Sequence, residues 1–232
     1  MNTKITGLGT VKSVGLLVLL CAVLLSCSPR TQGSAPAAAA QTGAAPKVSV
    51  VYFDGTVSVN GSPAQIGELA GTMVRVETGP GASCQLEFGD KNIVGISQNA
   101  VVSFDFSKAV LEVGLKKGGL TSVLKGLAQV AGKDSFVVTT DFAQAGVRGT
   151  CFCIWADDGG TYVCACNGTV RTIDAKGSNE QLLSAAHHVA RVYSRKDGAI
   201  SVEGAGVLHH SDASVQALAT KIGYTIDWSK VD

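Results

Sequence analysis

From Lys47 onward, apolar and polar positions alternate in short runs separated by turn residues. Lys47–Gly61 is rich in β-branched residues, alternates at Thr56-Val-Ser-Val, and is punctuated by Asp54-Gly55 and Asn60-Gly61, two favoured turn dipeptides. Met73–Thr78 and Cys84–Phe88 repeat the alternation on either side of Gly79-Pro80-Gly81, and Asn92–Ile96 and Ala100–Phe106 follow. Ala109–Val113, Ser135–Thr140 and Thr150–Trp155 continue it. Strands at this spacing predict an all-β fold, a sandwich, barrel or β-solenoid.

Two segments depart from the two-residue period. Thr121–Val130 reads as a short helix or a loop. Ser211–Gly223 reads as a helix: Ser211 or Asp212 can cap its start, Val215, Leu218 and Ile222 share a face, and Gly223 suits its end.

The first residues carry a different pattern. Lys4 and Lys12 precede an apolar run, Val14–Leu25, shorter than the roughly 20 residues a membrane-spanning helix needs and suited to a signal peptide. The run ends in Leu24-Leu25-Ser26-Cys27, which looks like a bacterial lipobox. Cleavage before Cys27 would expose it for lipidation, palmitate among its acyl chains, each buried CH₂ contributing about 0.8 kcal/mol to anchoring. Residues 28–46, SPRTQGSAPAAAAQTGAAP, have neither aromatics nor hydrophobic periodicity and read as a disordered tether. The expected organisation is a signal peptide over 1–26, a tether over 27–46, a β-domain over 47–175 and a C-terminal extension over 176–232. This places the protein in the bacterial cell envelope, on the outer membrane or the outer leaflet of the inner one, facing the periplasm or the surface.

Composition narrows the function. The formal charge is +1; without Lys4 and Lys12 the 19 basic residues become 17 against 18 acidic ones, near −1. Such a balance excludes a nucleic-acid partner held by phosphate contacts. The sequence has no GxSxG, P-loop, GxGxxG or HExxH motif, so it offers no enzyme signature. Asp157-Asp158 is explained by turn chemistry. The expected partners are the membrane, through the lipid, and an envelope protein or a peptidoglycan-associated one.

Cysteine carries the candidate chemistry. Beyond Cys21, Cys27 and Cys84, the remaining four form Cys151-x-Cys153 and Cys164-x-Cys166 around Asp157-Asp158-Gly159-Gly160. A hairpin turning there sets Cys151 opposite Cys166, Cys153 opposite Cys164 and Trp155 opposite Tyr162. All four sulfurs then share one face, with cross-strand Cβ atoms about 4.5–5.5 Å apart. Three readings compete: paired disulfides, suited to an oxidising compartment; a zinc or iron (iron–sulfur) site; and buried thiols. Cys84, in an alternating strand, reads as a small core residue. The four histidines come as His187-His188 and His209-His210. In extended chain only one of each pair can face a given metal. The favoured ligands are Cys164, Cys166 and a histidine of the pair His187/His188, with Cys151, Cys153 and His210 as further ligands or disulfide partners.

Several pieces in order resemble the FecR-like domain: Gly55-Thr-Val-Ser-Val, Ala64-Gln-Ile-Gly, Val76-Glu-Thr-Gly with Ala82-Ser-Cys-Gln-Leu-Glu-Phe, Gly118-Gly-Leu, and Phe136–Phe152 with its core Val147-Arg148-Gly149-Thr150. The resemblance implies an all-β sandwich- or solenoid-like domain outside the cytoplasm that binds or scaffolds rather than catalyses. FecR proteins also carry a cytoplasmic tail that binds a sigma factor. This chain has a lipobox in place of that part, so sigma-factor control is not expected. Tyr162-Val-Cys-Ala-Cys-Asn-Gly168, His187-His188 and His210-Ser-Asp212 further resemble a Cys-x-Cys/His-His block found in a subset of these proteins.

Overall fold

The computed structural model describes residues 45–128 and 134–232; the expected signal peptide, Cys27 and nearly all of the expected tether lie outside them. The described strands are β1 (Val48–Asp54), β2 (Val57–Val59), β3 (Ser62–Pro63), β4 (Gly67–Glu68), β5 (Met73–Thr78), β6 (Ser83–Phe88), β7 (Asn92–Ile96) and β8 (Val101–Asp105). They continue with β9 (Leu111–Leu124), β10 (Phe136–Thr139), β11 (Ala143–Val147), β12 (Cys151–Asp157), β13 (Gly160–Asp174), β14 (Gln181–Ala185), β15 (Val189–Lys196) and β16 (Ala199–Ala205). One helix, α1 (Asp212–Lys221), follows. The fold is all-β, as the alternation predicts.

The strands form two layers joined through β9 and β13. In one layer the order is β4-β1-β6-β7-β9-β12-β13-β15-β16. In the other it is β3-β2-β5-β8-β9-β10-β11-β13-β14. Neighbours are antiparallel apart from β9 and β10, which run parallel. Both long strands change layers at a glycine with positive φ, Gly118 (φ 86°) and Gly168 (φ 112°), because a bend of that hand excludes a Cβ. A Cβ on Gly118 would lie 2.5 Å from Ala100. Arg148-Gly149-Thr150 serves the second corner: buried Thr150 donates its hydroxyl to the Thr169 carbonyl at 3.1 Å and accepts from the Thr169 N–H at 3.3 Å.

Between the layers lies the main core, built from the inward half of each alternating strand and centred on Phe88, Phe104, Phe106, Phe136 and Phe152. Cys84 belongs to it, as expected of a small core residue; burial pushes its thiol up to about 11. A second core lies on the outer face of the first layer. Ile93, Val123, Cys151, Cys153, Cys164 and Cys166 there meet Val215, Leu218 and Ala219 of α1, and Ile226 beyond it. Leu218 of the helix packs over Gly95, where an added Cβ would stand in ordinary contact at 3.6 Å.

The helix begins as the sequence indicates, with Ser211 as N-cap in a reciprocal capping box with Ser214, and Gly223 (φ 67°) follows its end. The segment from Thr121 requires a correction. Thr121–Leu124 is neither helix nor loop but the end of β9, paired with β7 and β12. Residues 129–133 lie outside the described ones. Residues 176–205 are also mostly strand: β14 and β15 pair with β13, and β16 extends the first layer.

Candidate metal centre

The hairpin β12–β13 turns at Asp158-Gly159, where Asp157 Oδ1 accepts the N–H groups of Gly159 (2.8 Å) and Gly160 (3.0 Å). The expected pairs Cys153↔Cys164 and Trp155↔Tyr162 form. The pair Cys151↔Cys166 does not: an irregularity between Cys151 and Phe152 sets Cys151 opposite Asn167. Asn167 cannot shift back, because its Nδ2 sits among the carbonyls of Ala186 (2.9 Å), Asp227 (3.1 Å) and Lys230 (2.9 Å) and ties the C-terminal chain to β13. All four cysteines still face the outer core, but Cys151 stands apart near Lys125 and Asp232, its thiol pushed up to about 12 by burial.

Four ligand-bearing side chains converge: Cys164, Cys166, His188 and His210, with one ligand atom of each within 4.8 Å of all the others. His188 enters from the turn between β14 and β15. It adopts φ 51°, and its N–H bonds to the Cys166 carbonyl at 3.1 Å, which lays the ring beside the sulfurs. His210 arrives from the chain just before α1. Cys164 Sγ is 3.5 Å from His188 Nδ1, Cys166 Sγ is 3.4 Å from His210 Nε2, and the two nitrogens are 3.4 Å apart. A tetrahedral zinc with bonds of about 2.3 Å to sulfur and about 2.0–2.1 Å to nitrogen spaces its ligands about 3.5 Å (S···N) and about 3.3 Å (N···N) apart. These three separations match edges of that tetrahedron, and the other three lie within 4.8 Å.

The outward ring nitrogens fix both tautomers. His210 Nδ1 lies 2.7 Å from the Leu208 carbonyl, which can only accept, so Nδ1 carries a proton and Nε2 is the nitrogen left to face the sulfurs and would bind a metal. His188 Nε2 lies 2.7 Å from Asp212 Oδ1. Hydrogen bonds from His188 and His187 hold the Asp212 carboxyl below its ordinary range, so it accepts, and Nδ1 of His188 is the bare nitrogen. Carboxylate or carbonyl behind each imidazole is the outer arrangement typical of metal-bound histidine.

The charges agree. Hydrogen bonding from Cys166, opposed by burial and reinforced by His210, Tyr162 and His188, holds the Cys164 thiol down to about 4. Burial works against a charged His210, yet the sulfurs of Cys153 and Cys164 raise it to about 10. Cys166, crowded by Cys153 and Cys164, is pushed up. Cys164 thus favours negative charge and draws positive charge into the centre, whereas Cys166 holds its proton more tightly.

Of the residues singled out in the sequence, the structure brings Cys164, Cys166 and His188 together and adds His210. His187 turns outward, half-exposed, with Nε2 2.9 Å from Asp212 Oδ2 and its ring against Trp228. Cys153 stands beside the centre, its Sγ 3.8 Å from that of Cys166 and 3.3 Å from Thr121 Oγ1. All five described cysteines are free thiols, and 3.8 Å is far beyond the ~2.05 Å of a disulfide. Sequence reasoning does not single out Asp212 or Trp228 as parts of the site; the His210-Ser-Asp212 spacing is the available signal for the former.

Comparison with known proteins bears on the strands that carry this centre. Residues 74–171 match the FecR protein family model. This stretch is similar to a FecR domain. It supplies Cys164 and Cys166, whereas both histidines follow it in the chain. A crystal structure of a candidate anti-sigma factor from Parabacteroides distasonis is similar at TM-score 0.46 and 18% identity, over 57% of this chain and 60% of that one. The chain therefore covers less than two thirds of that protein. No curated protein matches the sequence. Among the described residues no helix is long and apolar enough to cross a membrane.

Proposed function

We propose that this is a lipid-anchored, non-enzymatic FecR-domain protein of the bacterial envelope, a regulatory or scaffolding module whose C-terminal segment is clamped to the sheet by one tetrahedral metal ion. The ligands are Cys164, Cys166, His188 and His210, and zinc suits them best. The observation that carries the reading is the convergence of two sulfurs and two inward-facing imidazole nitrogens at tetrahedral spacing. Four protein ligands make a closed, structural site with no position left for substrate. A two-iron cluster fits less well, since two irons and their bridging sulfides would spread the ligand pairs apart. The match of residues 74–171 to the FecR family model and the lipobox-like Leu24-Leu25-Ser26-Cys27 support the envelope part of the reading.

Elemental analysis of the protein purified without chelator tests this. One zinc per chain is expected, with Cys84, Cys151, Cys153, Cys164 and Cys166 all reacting as thiols after chelation in denaturant. No metal, with one reactive thiol among these five, would replace the reading by the disulfide-stapled scaffold. Stoichiometric iron with visible bands would keep the site and change its chemistry to electron transfer or sensing. Incorporation of labelled palmitate, lost in Cys27→Ser, tests the anchor.

A further inference from the structure

A cavity of about 340 Å³ opens between α1 and the outer face of the first layer, beside the metal centre. That volume is in the range of small-molecule sites. Its floor is formed by β6, β7, β9 and β12, its roof by Ser214, Ala217, Leu218 and Lys221 of α1.

Three features of the lining are chemical. Trp155 and His209 stack face to face, 4.4 Å apart and 10° from parallel, and together make an aromatic wall of the cavity. The indole is seated by Gly119: a Cβ there would fall 2.3 Å from Trp155 Cε3, so any other residue would displace the wall. Second, Gln85 Oε1 is buried and has no hydrogen-bond partner. Leaving a buried acceptor unmade is costly, so a donor from outside the protein would be stabilising there. Third, Lys221 is the one charged side chain of the lining apart from the titratable His209, and no carboxylate shares the cavity. Its ammonium lies 5.1 Å over the Tyr52 ring and is matched to no acid among the ion pairs of the described residues.

We infer that this cavity binds a small planar organic acid bearing a hydrogen-bond donor. The acid faces Lys221, the donor satisfies Gln85 Oε1, and the ring packs on the outside of the Trp155–His209 stack. The site is distinct from the metal centre and holds whether or not the metal reading does. Metal and ligand are nonetheless neighbours through adjacent residues, His209 in the wall and His210 in the centre.

Calorimetric titration of the full chain, as purified, with four probes tests the inference. 4-Hydroxybenzoate carries acid, donor and ring; benzoate lacks the donor, 4-hydroxybenzamide lacks the acid, and tyramine replaces the acid with a cation. 4-Hydroxybenzoate should bind saturably, benzoate and 4-hydroxybenzamide each at least about fivefold more weakly, and tyramine not at all. Lys221→Met, on the exposed side of α1, should erase the preference for acid over amide. Gln85→Leu should erase the preference for 4-hydroxybenzoate over benzoate. Gly119→Ala should weaken all binding. Saturable binding by none of the four overturns the inference, as does discrimination that survives in both variants with unchanged thermal midpoints.

Discussion

At the scale of single residues, the centre depends on which ring nitrogen of which histidine is bare. Asp212 sets this for His188, and its second oxygen holds His187 away from the sulfurs. Asp212→Asn should therefore weaken metal binding about 10–100-fold, the usual cost of losing the carboxylate behind a ligating imidazole. His187→Ala should leave metal content unchanged and His210→Ala should abolish stoichiometric binding, both read by competition with a chromophoric chelator. Asp174 offers a contrast without metal. Burial disfavours its charge, but the N–H groups of Ser178 (3.0 Å) and Lys176 (2.8 Å) and the Asn179 amide (2.7 Å) hold its carboxyl below the ordinary range. A folded-state value below the unfolded one means stabilisation fully present above the unfolded value and lost as pH falls through the folded one. Asp174→Asn should cost about 1 kcal/mol at neutral pH. The difference from the parent should vanish in acid, measured as denaturation midpoints across pH.

At the scale of elements, alternation names a strand but not where it bends. Met73–Thr78 is readable to the residue because it lies within one layer and alternates exposed and buried along its whole length. Thr121–Leu124 is not, because β9 crosses a corner and beyond it is buried at Ser122, Val123 and Leu124 in succession, which erases the two-residue period. The strands of residues 181–205 escape the alternation as well, although Asp197-Gly198, which joins β15 to β16, is a hairpin signal. The corner at Gly168 makes a sharp test. A Cβ there would meet buried Thr150 at 2.9 Å while φ stays at 112°. Gly168→Ala should destabilise the fold by about 2–4 kcal/mol by chemical denaturation, far more than the same change at Gly177, whose surroundings are open.

At the scale of the whole molecule, the proposed metal would join two separately built parts. The inter-layer core owes nothing to it, whereas α1 and residues beyond it rest on a small second core and on Asn167. Chelation should thus raise amide exchange at least about tenfold over residues 206–232 and leave β6, β7 and β9 protected. Loss of protection throughout would mean that the two cores fold as one unit. The sequence alone determined the β-layers, the capped helix and the gathering of four cysteines on one face, since these follow from local periodicity, turn residues and strand parity. It also held the ordered motifs of the FecR domain. Only the tertiary structure decided which histidines reach the sulfurs. That choice rests on the φ of 51° at His188, on the seating of α1 over Gly95, and on the anchoring of Asn167 that sets Cys151 aside. Each brings together residues distant in the chain, and no local pattern encodes a contact whose geometry is fixed by packing elsewhere.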